Sequence, residues 1–175
     1  HLASRRQRQM CIRDRHDKAR KPCYRLCMTT LQLDDRNFDA DKQHWTPVRV
    51  YYEDTDFTGL VYHANYLKYF ERGRSNHLRD AGVTHKSLLE RDDPAAFTIV
   101  KADVDFKNAA HVEDELMVRT RYMGVKGARI FFDQAVLRDE TLICEAKIIA
   151  VTIHSDGRPR RPVSYTHLTL PTTSK

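Results

Sequence analysis

Tyr66, Phe70, Gly73, His77 and Ala81 recur at steps of three and four residues, with Leu67 and Leu78 beside them. That spacing predicts a helix of about 18 residues starting near Ala64 and stopped by Gly82. Aromatic and aliphatic side chains occupy so much of its circumference that it has to be covered on several sides. The C-terminal half of the chain has to supply that cover. Phe97–Phe106, Glu115–Tyr122, Arg129–Leu137 and Leu142–His154 alternate or run apolar in the manner of strands. In the first of these the alternation slips phase between Ile99 and Val104, and the last is mostly Ile, Val and Ala, a central strand. Gly124 and Gly127 mark one turn between these runs and Asp139-Glu140 the next.

Ahead of the helix, Val48–Tyr52 reads as a strand, Glu53–Gly59 as a polar turn, and residues 28–46 as a loose, aspartate-rich leader. A short helix is expected over Lys86–Arg91, ended by Asp93-Pro94. No internal repeat is visible. One buried helix followed by a meander of long strands predicts an α+β domain, a long antiparallel β-sheet wrapped around one central α-helix, which is the hotdog fold.

The 175 residues suit one domain, and 41% hydrophobic with 31% charged residues excludes fibrous and wholly disordered classes. No run approaches the roughly 20 apolar residues of a membrane helix, so membrane insertion is not expected. The net charge of +6 would ordinarily suggest a nucleic-acid partner. Its distribution argues otherwise: residues 1–15 carry +4, residues 16–27 carry +3 and residues 163–175 carry +1, which leaves −2 on residues 28–162.

The two ends are unusual in a second way. Arg5–Arg15 and Val163–Thr172 back-translate to one inverted repeat that resembles a transposase-type sequencing adapter. Residues 1–27 are therefore expected to be adapter and translated upstream sequence, with Met28 the native start. Residues 163–175 are expected to be an adapter-derived tail that replaces the native C-terminus near Pro162, and residues 47–162 to be the domain proper. Cys11, Cys23 and Cys27 then fall outside the body and leave Cys144 alone, a small buried hydrophobe by expectation. Cys23 and Cys27 lack a second ligand pair, and His77, His85, His111 and His154 lack metal-ligand spacing, so no metal is assigned. Without a disulfide framework, a reducing, cytoplasmic compartment is expected.

The chemically dense stretch is Tyr52-Glu53-Asp54-Thr55-Asp56-Phe57-Thr58-Gly59-Leu60-Val61-Tyr62-His63-Ala64-Asn65-Tyr66. Asp56 falls in the turn between strand and helix, where its side chain is expected to project into a cleft. A carboxylate there is ionised at neutral pH. It can attack a thioester carbonyl or deprotonate a water that does so. His63, seven residues on, falls at the start of the helix, where unused backbone N–H groups and the positive end of the dipole suit an oxyanion. Asp54 reads as a turn or cap residue, Glu71 as a paired structural acid, and Asp103 and Asp105 as a solvated face.

This run, followed by Tyr69-Phe70-Glu71-Arg72 in the helix, resembles the tol-pal-associated acyl-CoA thioesterases (YbgC-like) of the 4-hydroxybenzoyl-CoA thioesterase superfamily, over about Pro47–Pro162. Phe57 and Thr58 stand where that family often has small residues. The resemblance implies Asp56 as the catalytic carboxylate, with His63 and Tyr52 lining the site. It further implies Tyr62, Lys126 and Arg129 as substrate-binding residues, the latter two near the CoA phosphates. Whether Asp56 is nucleophile or general base stays open. The activity implied is hydrolysis of a short-chain or aromatic acyl-CoA to free acid and CoA, without cofactor, in a homodimer or homotetramer. An acyl carrier protein is an alternative donor. A non-catalytic acyl-carrier or cell-envelope (Tol-Pal) partner-binding protein is the competing reading. An enoyl-thioester hydratase lacks its Asp/His hydration motif here, and no nucleic-acid partner is expected once the ends are set aside.

Overall fold

The computed structural model describes residues 33–162. The adapter-like ends, the upstream segment and Met28 lie outside them. The elements in order are β1 (His44–Arg49), a 3-10 turn (Tyr52–Asp54), α1 (Asn65–Asp80), α2 (His85–Leu89), β2 (Ala95–Phe106), β3 (Glu115–Lys126), β4 (Arg129–Arg138) and β5 (Thr141–His154). The strands form one five-stranded sheet in the order β1-β3-β4-β5-β2. Every pairing is antiparallel. The sheet carries α1 on one face, which makes this the α+β hotdog arrangement.

Side-chain alternation explains the core. Leu116, Val118 and Thr120 of β3, Ile130, Phe132, Gln134 and Val136 of β4, and Ala146, Ile148 and Ala150 of β5 are buried, as are Tyr66, Tyr69, Phe70, Gly73 and His77 of α1. Helix and sheet approach so closely at Gly73 that a Cβ would lie 2.8 Å from both Thr120 Oγ1 and Val118 Cγ1. Beside this contact the buried Gln134 amide donates to Thr120 Oγ1 (2.8 Å) and to the Phe70 carbonyl (3.0 Å) and accepts from Arg74 Nη1 (2.8 Å). Arg74 in turn pairs with Glu71. Each buried polar side chain in this series thus has a partner, which is the condition for burying it at tolerable cost.

The phase slip expected in β2 is a register shift between Ile99 and Lys101, a bulge at Val100. On the far face of the sheet Arg121, Asp133, Lys147 and Asp103 stand in register across β3, β4, β5 and β2. α2 begins one residue before its expected start, with Thr84 and Ser87 closing a capping box.

The leader reading fails for residues 34–46. Asp34 accepts from the Arg36 and Phe38 N–H groups, and Asp39 accepts from the Asp41 and Gln43 N–H groups and from Trp45 Nε1 (2.7 Å). The aspartates thus cap tight turns, and Phe38 pairs with His44 across a β-bridge. The first strand begins at His44 instead of Val48 and ends at Arg49; Tyr52 lies in the 3-10 turn. Pro47 sits inside it because β1 is an edge strand, where a missing N–H is tolerated.

This segment covers His77 of α1, whose ring is 2% exposed and lies edge-on to Phe38, His44 and Phe132. Burial, reinforced by His44, pushes the His77 pKa down to about 4, against a smaller opposing pull from Asp80. His44 bonds Asp80 at 2.8 Å, and its own pKa is lowered because burial outweighs that pairing. A histidine lowered on folding contributes stability that is complete above about pH 6.5 and lost as pH falls toward its folded value. The His77 share is about 3 kcal/mol. Thermal unfolding should therefore show Tm falling steeply between pH 6.5 and 4, and less so in His77→Leu. Equal acid sensitivity in both proteins would contradict this.

Candidate active site

The stretch 51–65 is organised by Asp54. Its buried carboxylate accepts from the Tyr51 N–H (3.0 Å) and caps the 3-10 turn. Its carbonyl accepts from the Tyr62 N–H (2.9 Å) and from the buried Asn65 side chain (2.8 Å). Thr55 bridges Val61, and the Asp56 N–H donates to the Leu60 carbonyl at 2.9 Å. The result is a small hairpin whose tip is Asp56–Gly59. Gly59 takes φ +79°, a conformation side chains disfavour.

Asp56 is exposed at this tip. Its Oδ1 accepts two hydrogen bonds from Thr58, one from N–H (2.8 Å) and one from Oγ1 (2.5 Å). The Thr58 hydroxyl, then its backbone N–H, hold the Asp56 carboxyl below the usual carboxylate range. The group is therefore an anion at neutral pH.

The other arm of the hairpin runs into α1. His63 is exposed, and its ring lies 4.3 Å from that of Tyr62, which is 47% exposed. Ala64 is the N-cap and supplies no side-chain hydrogen bond. The Asn65 and Leu67 N–H groups are used, by the Tyr62 and Ala64 carbonyls. Among the described residues none accepts from the N–H groups of His63, Ala64 or Tyr66. A helix start without a side-chain cap is a ready anion site. Tyr69, one turn further on, is buried, and burial together with the Asp54 carboxylate keeps its phenol protonated.

The structure puts Asp56, Tyr62 and His63 on one hairpin and Tyr52 on the turn before it, 86% exposed. The cavity between α1 and the sheet is lined by Glu71, Arg74, Ser75 and His85 at its polar side and by apolar residues including Phe97 and Ile99. A second hollow lies on the far face of the sheet and a third beside β1. Asp56 lines none of these three, because it sits at the exposed tip of its hairpin. Lys126 and Arg129 pair at the β3–β4 turn. The Asp56 hairpin meets the chain at Ala110 and His111, just before the opposite end of β3. Within one chain the two groups are separated by the length of that strand, roughly 35 Å. Cys144 is buried, and burial pushes its thiol up to about 12, so it stays protonated and unreactive.

Residues 50–167 match the thioesterase-like superfamily. The chain belongs to the thioesterase-like superfamily. Among its relatives is the acyl-CoA thioesterase YbgC of Haemophilus influenzae, 41% identical over 119 residues that cover 68% of this chain and 85% of that protein. The acyl-CoA thioester hydrolase YbgC of Escherichia coli O157:H7 is 36% identical over 108 residues, 61% of this chain and 79% of its own length. A probable thioesterase from Bartonella henselae superposes with a TM-score of 0.67 at 37% identity, covering 69% of this chain and 99% of that one. A 4-hydroxybenzoyl-CoA thioesterase variant solved with 4-hydroxybenzoyl-CoA shares the fold at TM-score 0.64 and 21% identity, covering 72% and 96% of the two chains. The Thr58 N–H bond to Asp56 is what an Asx turn gives two residues on, but the hydroxyl bond beside it was hidden, since a threonine hydroxyl rotates to whichever partner is near. The series Thr120–Gln134–Arg74–Glu71 was equally hidden, because its members are scattered over three elements.

Proposed function

We propose that this thioesterase hydrolyses an acyl-CoA to free acid and CoA with the Asp56 carboxylate as its reacting group and the start of α1 as its oxyanion site. The reading rests on one observation: an ionised carboxylate, held at one oxygen by Thr58, lies on the hairpin that leads into a helix start with unused N–H groups. Asp56 either takes a proton from an attacking water or attacks the thioester carbon itself, forming an acyl-aspartyl anhydride that water then opens. In both routes negative charge develops on the carbonyl oxygen, where the N–H groups around His63 lower the barrier by about 3 kcal/mol per donor. The CoA thiolate then leaves and is protonated. CoA chemistry sets the reaction in the cytoplasm.

The site is completed by a second copy. β2 is an edge strand of 12 residues, exposed through its middle, with Val100 at 54%. Long open edges of this kind are normally paired or covered. Two-fold antiparallel pairing of β2 with β2 of a second copy would bring the Phe97 end of one chain beside the Phe106 end of the other. The cavity against α1 would then open toward the other chain's Asp56, as a place for the acyl group, and Lys126 and Arg129 of the chain that supplies the cavity would lie at the same end. A homodimer follows, or a homotetramer of two such pairs. An acyl carrier protein could present the same thioester to this paired site.

Full-length protein should release free thiol from acetyl-, butyryl- or benzoyl-CoA, and should run in solution as two or four chains. Parallel assays with the same acyl groups on carrier protein decide the donor. A monomer that turns over at full rate would refute the paired site, and no thiol release from any thioester would refute the reaction.

A further inference from the structure

We propose that Thr58 is a positioning residue for the reacting carboxylate: its hydroxyl and N–H fix Asp56 Oδ1 and thereby leave Oδ2 as the oxygen presented to the thioester or its water. The inference rests on Asp56 being the reacting group. The two bonds have different origins. The N–H bond at 2.8 Å is an ordinary Asx turn, which any residue but proline at position 58 could supply through its backbone. The hydroxyl bond at 2.5 Å needs a serine or threonine at this position. Asp56 and Thr58 are both exposed, and beyond the two Thr58 donors the carboxylate feels only a weaker pull from the Leu60 N–H. An exposed carboxylate held by one bond swings about its last torsion. Two donors converging on the same oxygen fix its plane, which is the preorganisation an attacking oxygen needs.

The same bond has a second consequence. A donor to the anion favours the charged form, and the Thr58 hydroxyl is the largest influence on Asp56. Activity should therefore extend further into acid than an unassisted aspartate allows.

Thr58→Val removes the hydroxyl, keeps the shape and keeps the N–H bond. With butyryl-CoA as substrate, kcat should fall about tenfold, the scale of one lost hydrogen bond to a charged group. KM should hold within about twofold. The acid limb of the kcat/KM profile should move to higher pH, and Thr58→Ser should restore both rate and profile. A Thr58→Val enzyme with unchanged rate and acid limb overturns the proposal, as does a loss that Thr58→Ser fails to repair. Asp56→Asn separates the two levels: if it kills turnover while Thr58→Val does not, the positioning role alone fails. If it spares turnover, the assignment of Asp56 fails and the positioning role with it.

Discussion

Asp56→Asn should yield a folded protein whose kcat/KM for acyl-CoA is reduced about a thousandfold, within the range for loss of a general base or nucleophile. The substitution isolates charge from shape. The asparagine side-chain oxygen still accepts from the Thr58 N–H and hydroxyl, so the turn closed by Gly59 persists. A carboxamide neither takes the proton of an attacking water nor attacks a thioester itself. The helix start at Ala64 is untouched, so some turnover above the uncatalysed rate remains from oxyanion stabilisation alone. Because Asp56 is exposed and its partners survive, Tm should stay within about 1 °C of the parent, as for surface changes generally. Thiol release under saturating and subsaturating substrate, beside a thermal melt, reads both quantities. A loss smaller than tenfold would move the chemistry elsewhere, with Glu71 at the cavity rim the next carboxylate to test.

Gly73→Ala should be costly, because among the glycines it is the one where an added methyl meets packed neighbours. The added Cβ would meet Thr120 Oγ1 and Val118 Cγ1 at 2.8 Å and Gln134 Nε2 at 3.2 Å. All three belong to the sheet beneath α1, and all are fully buried. Two contacts at 2.8 Å put the overpacking cost at about 3 kcal/mol, of which the gain in helix propensity returns about 1 kcal/mol. The helix cannot simply lift, because Arg74 and the Phe70 carbonyl are bonded to Gln134 on either side. For a body of this size Tm should fall by roughly 6 °C. Val118→Ala in the same protein removes one of the clashing methyls, so the double mutant should lose less than the two single losses summed. Additive losses would mean that the helix does not rest on this contact.

Much of the architecture was legible because its signals are local. The α1 periodicity over 64–81 matches the helix Asn65–Asp80, and the phase slip inside Phe97–Phe106 is the Val100 bulge itself. The segment before β1 was hidden because its burial is polar. His44, Thr46 and Gln43 are buried yet satisfied, His44 by Asp80 and Thr46, and Gln43 by Arg121, so hydrophobicity gave no warning. At the candidate site the motif residues share one hairpin, but composition and spacing could not tell that a single chain leaves Asp56 on an open surface. Lys126 and Arg129 show the same limit. Their turn was correctly located, whereas their distance from Asp56 follows from strand length and direction, which no local pattern encodes.

Asp56 and the start of α1 should face one thioester. A crystal structure of the full chain with a non-hydrolysable acyl-CoA analogue, its carbonyl retained, tests it most directly. The carbonyl carbon should lie about 3.5 Å or less from an Asp56 carboxylate oxygen. The carbonyl oxygen should lie about 3 Å from an N–H of the first turn of α1. An analogue seated elsewhere, with Asp56 turned to bulk water in every subunit, would contradict it.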